Sequence, residues 1–107
     1  MNNPFDRLMA RADAVLFDAF GNKGVSYQGP HCYTPIPNLT VIISHNVEMA
    51  VADGVFRPIQ HLAEIRLAEV PEPRAGGQLH CRSGRYRLDE RIRTDGLVEY
   101  WSLLPVR

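Results

Sequence analysis

The chain has 107 residues, enough for one domain with a modest hydrophobic core and too few for a separate catalytic module. Hydrophobic residues make up 45% and charged residues 22% of the chain, which is typical of a folded protein and excludes wholesale disorder. The 12 basic and 12 acidic side chains cancel, and this argues against a protein whose main task is to bind nucleic acid.

The charge is nevertheless distributed unevenly along the chain. Residues 1–73 carry five basic and eight acidic side chains, a net charge of −3. Residues 74–107 carry seven basic and four acidic side chains, a net charge of +3. Subunits that dock acidic side to basic side would show this asymmetry, and a small protein can also reach it by chance. Both interpretations stay open at this point.

No apolar run approaches the length of a membrane span, and the first residues lack the charged start and apolar run of a secretory signal. We expect a soluble protein that is made and used in the cytoplasm, without a membrane partner. In that reducing compartment Cys32 and Cys81 are expected to be free thiols.

The first predicted element is an amphipathic helix over residues 3–20. Asn3 suits the N-cap, Pro4 suits the first helical position, and Gly21 ends the helix. Apolar residues recur along one face at spacings of three and four: Phe5, Leu8, Met9, Ala12, Val15, Leu16 and Ala19. We expect this face to cover an open side of the core, and the alternative is that it serves partly as a docking face.

Residues 21–40 are rich in glycine and proline and show little periodicity. Long connections of this kind in small domains are usually functional or mobile. We therefore predict a flexible loop or arm, with a short strand near residues 25–27, part of which orders only against a partner.

From residue 41 to the end, the sequence predicts a β meander. Alternating apolar residues indicate a long strand over residues 39–51, which the Asp53-Gly54 turn ends. A second strand is predicted over residues 62–70, and shorter strands follow with turns at Ser83-Gly84 and Asp95-Gly96. One helix before five or six strands predicts a single mainly β, α+β domain spanning residues 1–107. Its architecture would be an N-terminal helix on a small antiparallel β-barrel or sandwich.

Motifs of catalysis are not evident in the sequence, so we expect a protein that is not an enzyme and needs no cofactor. Two His-Cys dipeptides, His31-Cys32 and His80-Cys81, could in principle supply a zinc site. Neighbouring side chains on a strand point to opposite faces, however, and zinc ligands are usually spaced by two to four residues. We therefore expect no metal site, with His31 in a loop and Cys81 as a small core residue.

Four arginines, Arg85, Arg87, Arg91 and Arg93, are predicted to lie on one face of a strand. That face is interpreted as a solvated surface, as a docking surface for another subunit, or as a surface that passing DNA contacts. These arginines, with Tyr27 and Tyr33, are the candidate interface residues. The larger aromatic residues are expected in the core: Phe56, Tyr86, Tyr100 and Trp101.

The order of these features resembles the lambda-type head–tail joining proteins of tailed bacteriophages, also described as tail attachment or head–tail connector proteins. The resemblance is carried mainly by residues 63–71, 73–77, 83–89 and 94–96. They are similar to that family's strand, glycine-containing turn, Gly-x-x-Tyr strand and Asp-Gly turn. The opening helix, with its stop at Gly21, is similar as well.

The resemblance implies a structural virion protein that forms a ring of six between the DNA-filled head and the tail. Its partners would be the portal or head-completion protein and the tail terminator or tail tube protein. DNA would pass through the lumen without sequence-specific binding. The subunit would be a monomer in the host cytoplasm until assembly. From the charge split alone, we add the hypothesis that its acidic and basic parts meet across subunit boundaries. Alternatives are a tail terminator or stopper subunit, an oligonucleotide-binding β-barrel, and a small metal-dependent enzyme.

Overall fold

A computed structural model describes residues 4–50 and 54–107. The predicted N-cap Asn3 and turn residue Asp53 therefore lie outside the described residues. The secondary structure consists of one helix and six strands: α1 (Pro4–Phe20), β1 (Asn22–Gln28), β2 (Ile36–Ala50), β3 (Phe56–Arg66), β4 (Gln78–Cys81), β5 (Gly84–Thr94) and β6 (Val98–Val106).

All six strands belong to one antiparallel sheet that closes on itself. The strand order is β1-β2-β3-β6-β5-β4, and β1 pairs with β4 to complete the circle. Closure leaves neither end of the strand order with an unpaired edge. The predicted mainly β, antiparallel fold with an N-terminal helix is confirmed, and the strands form one closed sheet rather than two facing sheets.

The strands do not follow one another as a simple meander over residues 41–107. Strands β4, β5 and β6 form successive hairpins, but β3 pairs with β6 rather than with β4. The predicted strand over residues 62–70 is also corrected, because β3 ends at Arg66. Residues 67–77 then cross to the far side of the sheet, where prolines at 71 and 73 lack the N–H that a strand would need. Val70 is buried within this crossing at 1% exposure.

The predicted loop over residues 21–40 is wrong for most of its length. Strand β1 occupies Asn22–Gln28, and β2 begins at Ile36, so only residues 29–35 connect them. Val25 and Tyr27 on β1 face the core together with Leu39 and Val41 on β2, and all four are nearly fully buried. Their burial explains why this glycine-rich segment is a strand: it closes the sheet between β2 and β4.

The main core fills the inside of the closed sheet. Tyr86 and Trp101 belong to it, as predicted, and Cys81 packs against it half-buried. A smaller cluster of Ile59, Leu62 and Ile92, with Tyr100 against it, lies where the β2–β3 hairpin extends past β6. Phe56 was also predicted in the core, but it is 68% exposed because it begins β3 at the outer end of this hairpin.

The predicted helix is confirmed as α1, but its expected packing is not. Five large apolar residues on α1 are at least half exposed: Phe5, Leu8, Val15, Leu16 and Phe20. Only one of the described apolar side chains of α1 is buried, and that is Phe17 at 2% exposure. The described part of the chain contains no helix with the length and apolarity needed to cross a membrane.

Candidate interaction surfaces

The exposed residues of α1 form a continuous apolar stripe, defined here as Phe5, Leu8, Val15, Leu16 and Phe20. At 100° per residue, these positions fall within an arc of roughly 140° around the helix axis. Phe17 projects about 60° outside that arc. The helix is therefore held to the sheet by a residue beside the stripe, and the stripe itself faces solvent in the isolated chain.

The last turn of α1 is fixed to the sheet by several contacts around Phe17. The guanidinium of Arg66 lies over the Phe17 ring, 4.6 Å from the ring centroid. The amide of Gly21 donates to the Phe17 carbonyl at 2.8 Å. A Cβ at position 21 would collide with this carbonyl and with the methyl group of Thr40, so glycine is required there for the close approach. These contacts direct the stripe away from the sheet.

The four arginines of β5 lie on the exposed face of the strand, as the alternating pattern predicted. Tyr86, Leu88 and Ile92 point to the other side and are buried. The arginines differ, however, in what they contact. Arg85 donates to the carbonyl of Arg107 at 3.4 Å, near the end of the chain. Arg87 is also exposed on this face of β5.

Arg91 and Arg93 contact residues of the neighbouring strand β6. Arg91 pairs with Glu99 at 3.4 Å, and Glu99 is only 7% exposed although it is charged. The same carboxylate accepts a hydrogen bond from the indole N–H of Trp101 at 3.0 Å. The guanidinium carbon of Arg93 lies 5.1 Å from the Tyr100 ring centroid. Because a buried carboxylate needs a cation or donors, Arg91 stabilises the fold, and Arg85 and Arg87 are the better interface candidates.

Tyr27 and Tyr33, both predicted at an interface, have opposite positions. Tyr33 is 96% exposed in the connection between β1 and β2. Tyr27 is 4% exposed, and its hydroxyl accepts a hydrogen bond from the amide of Arg74 at 3.0 Å. Burial raises the pKa of Tyr27, against the smaller opposing effect of this hydrogen bond. Packing against Gly77 holds the Tyr27 ring inside the sheet, so its interface role stays a prediction that its burial does not favour.

An apolar groove lies beside Tyr33, between the β1–β2 connection and the crossing segment. Its cavity is about 350 Å³, and Cys32, Thr34, Glu72 and Arg74 border it. We define the groove by its apolar lining: Tyr27, Pro30, Ile36, Val70 and Pro71. The lining residues of the groove do not include any residue of the stripe of α1, so the groove and the stripe are separate apolar surfaces.

The two His-Cys dipeptides come closer in space than their separation in sequence suggests. His31, Cys32 and His80 line one polar cavity with Arg85. Cys81 does not join them, because it packs against the core, and burial raises the pKa of its thiol. Among the residues that the structure describes, no three His, Cys, Asp or Glu side chains are arranged so that they could hold a metal ion.

The closest pair of imidazoles involves histidines that the sequence analysis did not single out. His45 on β2 and His61 on β3 are register partners, and their Nδ1 atoms are 2.8 Å apart. Each lies eight residues from position 53, so a hairpin centred on Asp53 would have predicted the pairing. The ring of Tyr86 lies 5.7 Å from that of His61, at the edge of the core.

The described residues thus form a closed β sheet that carries an outward-facing apolar helix, an apolar groove and an arginine face. A comparison with models of protein families gave a match over nearly the whole chain. The chain matches the family model described as Phage Head-Tail Attachment protein over residues 2–104, and it belongs to this family. The resemblance found in the sequence is thereby confirmed. Comparison with curated proteins gave no match.

Proposed function

We propose that this chain is a structural, non-enzymatic subunit of a tailed bacteriophage or prophage that joins the DNA-filled head to the tail as one member of a ring. The observation that carries the proposal is the family match, which extends over residues 2–104 and so includes the helix, the first five strands and most of β6. Membership of the family implies contact with phage head and tail components and a place in the virion, at the head–tail junction.

The surface of the chain supports a role in assembly. The closed part of the sheet has no free edge at which another strand could add, so partners of that part bind through side-chain surfaces. The apolar stripe, the apolar groove and the arginine face are such surfaces, and they lie on different elements. A closed ring needs at least two different patches on each subunit, and this chain offers them.

The neutral net charge fits a lumen through which DNA passes without being held tightly. On the ring proposed here, the portal or head-completion protein binds one face and the tail terminator or tail tube protein binds the other. Ring formation takes place in the host cytoplasm on the filled head. A ring of six is the expected number of copies.

A joining assay tests the proposal. Purified protein is mixed with DNA-filled heads and finished tails from a phage that lacks this gene, and joined particles are counted by electron microscopy. We expect joined, infectious particles, with a ring of the added protein at the junction. If heads and tails stay apart although the added protein is folded, the joining role is wrong for this chain. Incubation with heads alone and tails alone distinguishes a head-bound joining subunit from a tail terminator, which would bind isolated tails.

A further inference from the structure

The apolar stripe of α1 is large enough to form much of a protein interface. Its five side chains are exposed by 50% at Leu16 to 71% at Phe20. With roughly 100 Å² for each such side chain, the stripe offers about 500 Å² of apolar surface. A stable interface buries about 800 Å² on each partner, so the stripe could supply more than half of one side. A patch of about 500 Å² is as large as the largest apolar patch on a typical monomer, and patches of that rank are often interaction sites.

The apolar groove is a second, concave apolar surface, with room for one or two side chains. Its cavity of about 350 Å³ lies between Ile36 at the start of β2 and Pro71 in the crossing segment. That volume is within the range of about 300–1,000 Å³ of pockets that enclose a bound group. Tyr33, beside the groove, is 96% exposed and could close over an inserted side chain.

Within one chain, the apolar stripe of α1 does not pack into the apolar groove. Phe17 and Gly21 hold the last turn of α1 against β2 and β3, with the stripe facing outward. The stripe residues remain exposed, and so does Ile36 at the groove, at 37%. A protruding helix of 17 residues is about 25 Å long, which is sufficient to reach a neighbouring molecule.

We propose that the apolar stripe of one copy binds the apolar groove of a second copy, in a head-to-tail contact that repeats around the ring. This inference rests on the proposed function, because a ring requires each subunit to use two different, complementary patches. Pairing of two stripes would be symmetric instead; it would stop at a dimer and leave the groove empty. The occupant of the groove is therefore α1 of the next copy.

A cysteine already present in the groove makes a direct test feasible. Cys32 is exposed and borders the groove, whereas Cys81 is half-buried. The variant Phe20→Cys places one thiol on the stripe, and a short thiol-reactive crosslinker is applied to particles joined with this variant. We expect a ladder of covalent species larger than dimers on a denaturing gel. The variant Phe20→Cys/Cys32→Ser removes the groove thiol and should lose the ladder. The variant Arg7→Cys, at an exposed position about 80° outside the arc of the stripe, should not produce one.

Substitutions on the stripe supply a second, independent measurement. The variant Leu16→Ser/Phe20→Ser should reduce the yield of joined particles at least tenfold, whereas the control Arg7→Ser should stay within twofold of the original protein. All three positions are exposed, so circular dichroism and thermal unfolding should show folded protein in each case.

The outcomes separate this inference from the proposed function. If the original protein joins heads to tails but the stripe variant does so equally well, the inference is overturned and the proposed function stands. Crosslinked dimers that persist without Cys32 would show symmetric stripe pairing and also overturn it. A stripe variant that fails to join, combined with no crosslink to Cys32, would mean that the stripe binds a head or tail protein instead of a second copy. Failure of the original protein to join would overturn the proposed function itself.

Discussion

The guanidinium carbon of Arg66 lies 4.6 Å from the centroid of the Phe17 ring, and this contact connects the helix to strand β3. The guanidinium of Arg66 forms an ion pair with the Glu69 carboxylate, with 3.3 Å between nitrogen and oxygen. The Glu69 carboxylate also accepts a hydrogen bond from the Thr40 amide. The helix is thus anchored at one end by a small network, while the rest of its apolar surface is available to a partner.

The anchoring contact predicts that Phe17→Ala releases the helix without unfolding the sheet. Truncation of a buried phenylalanine costs about 3–5 kcal/mol, and here that loss should fall mainly on the docking of α1. Hydrogen exchange should show lost protection of the α1 amides while the core strands keep theirs. Phe20→Ala is the matched control, since its side chain is 71% exposed and its removal should change stability by about 0.5 kcal/mol or less. Equal effects of the two substitutions would contradict this account of the anchor.

Tyr27 should make stability sensitive to alkaline pH. Burial raises the pKa of its hydroxyl above the ordinary value of about 10, so the folded state disfavours the ionised form. The stability that Tyr27 contributes is therefore fully present below pH of about 10 and is lost as the pH rises through the higher pKa of the folded state. Tyr27→Phe should cost about 1 kcal/mol at neutral pH, through the lost hydrogen bond to Arg74, and should weaken the alkaline effect.

Denaturant unfolding at neutral and alkaline pH measures both effects. Tyr33→Phe is the control, because Tyr33 is 96% exposed and its hydroxyl should contribute little to stability. The interpretation of Tyr27 as a core residue would be wrong if the two variants had the same pH profile.

Of the four arginines of β5, we expect Arg91 and Arg93 to stabilise the fold and Arg85 and Arg87 to act in assembly. Arg91→Glu places a second carboxylate beside Glu99, which is 7% exposed, and should reduce the free energy of unfolding by about 1–2 kcal/mol. Arg87→Glu changes an exposed position and should alter it by about 0.5 kcal/mol or less. Denaturant midpoints of the two purified variants give this comparison directly, and a larger loss for Arg87→Glu would reverse the assignment.

Arg85 and Arg87 are therefore the positions at which to test whether charge contributes to assembly. Arg85→Glu/Arg87→Glu should leave the fold intact and lower the yield of joined particles at least tenfold, if the basic end of one subunit meets the acidic part of the next. Raising the salt concentration should weaken joining by the original protein in the same direction. Normal joining by the double variant would eliminate the charge hypothesis and leave the stripe and groove as the remaining candidates.

The two thiols should differ in reactivity. Burial raises the pKa of Cys81, so little of it is thiolate near neutral pH, whereas Cys32 is exposed. We expect an alkylating reagent at pH of about 7.5 to modify Cys32 at least tenfold faster than Cys81, as measured by mass spectrometry of the peptides. In Cys32→Ser only the slow reaction should remain. A fast reaction in that variant would show that Cys81 is accessible.

Local patterns in the sequence determined most elements of the fold. Proline and glycine at positions 4 and 21 bound the helix, and alternation on β5 places Tyr86 inside and Arg87 outside. The hairpin of β2 and β3 follows from its turn signal and from the apolar alternation beside it. These features depend on residues that are close together in the chain, and the family resemblance rests on the same local signals.

Only the tertiary structure decided what each apolar face contacts. The glycine-rich segment of β1 becomes a strand because β2 and β4 lie on either side of it, and β4 is about fifty residues away in the chain. Periodicity revealed the stripe of α1 but not its exposure, because one residue outside it, Phe17, fits against Arg66 and sets the orientation of the helix. Burial depends on where distant segments meet, and helical spacing alone does not contain that information.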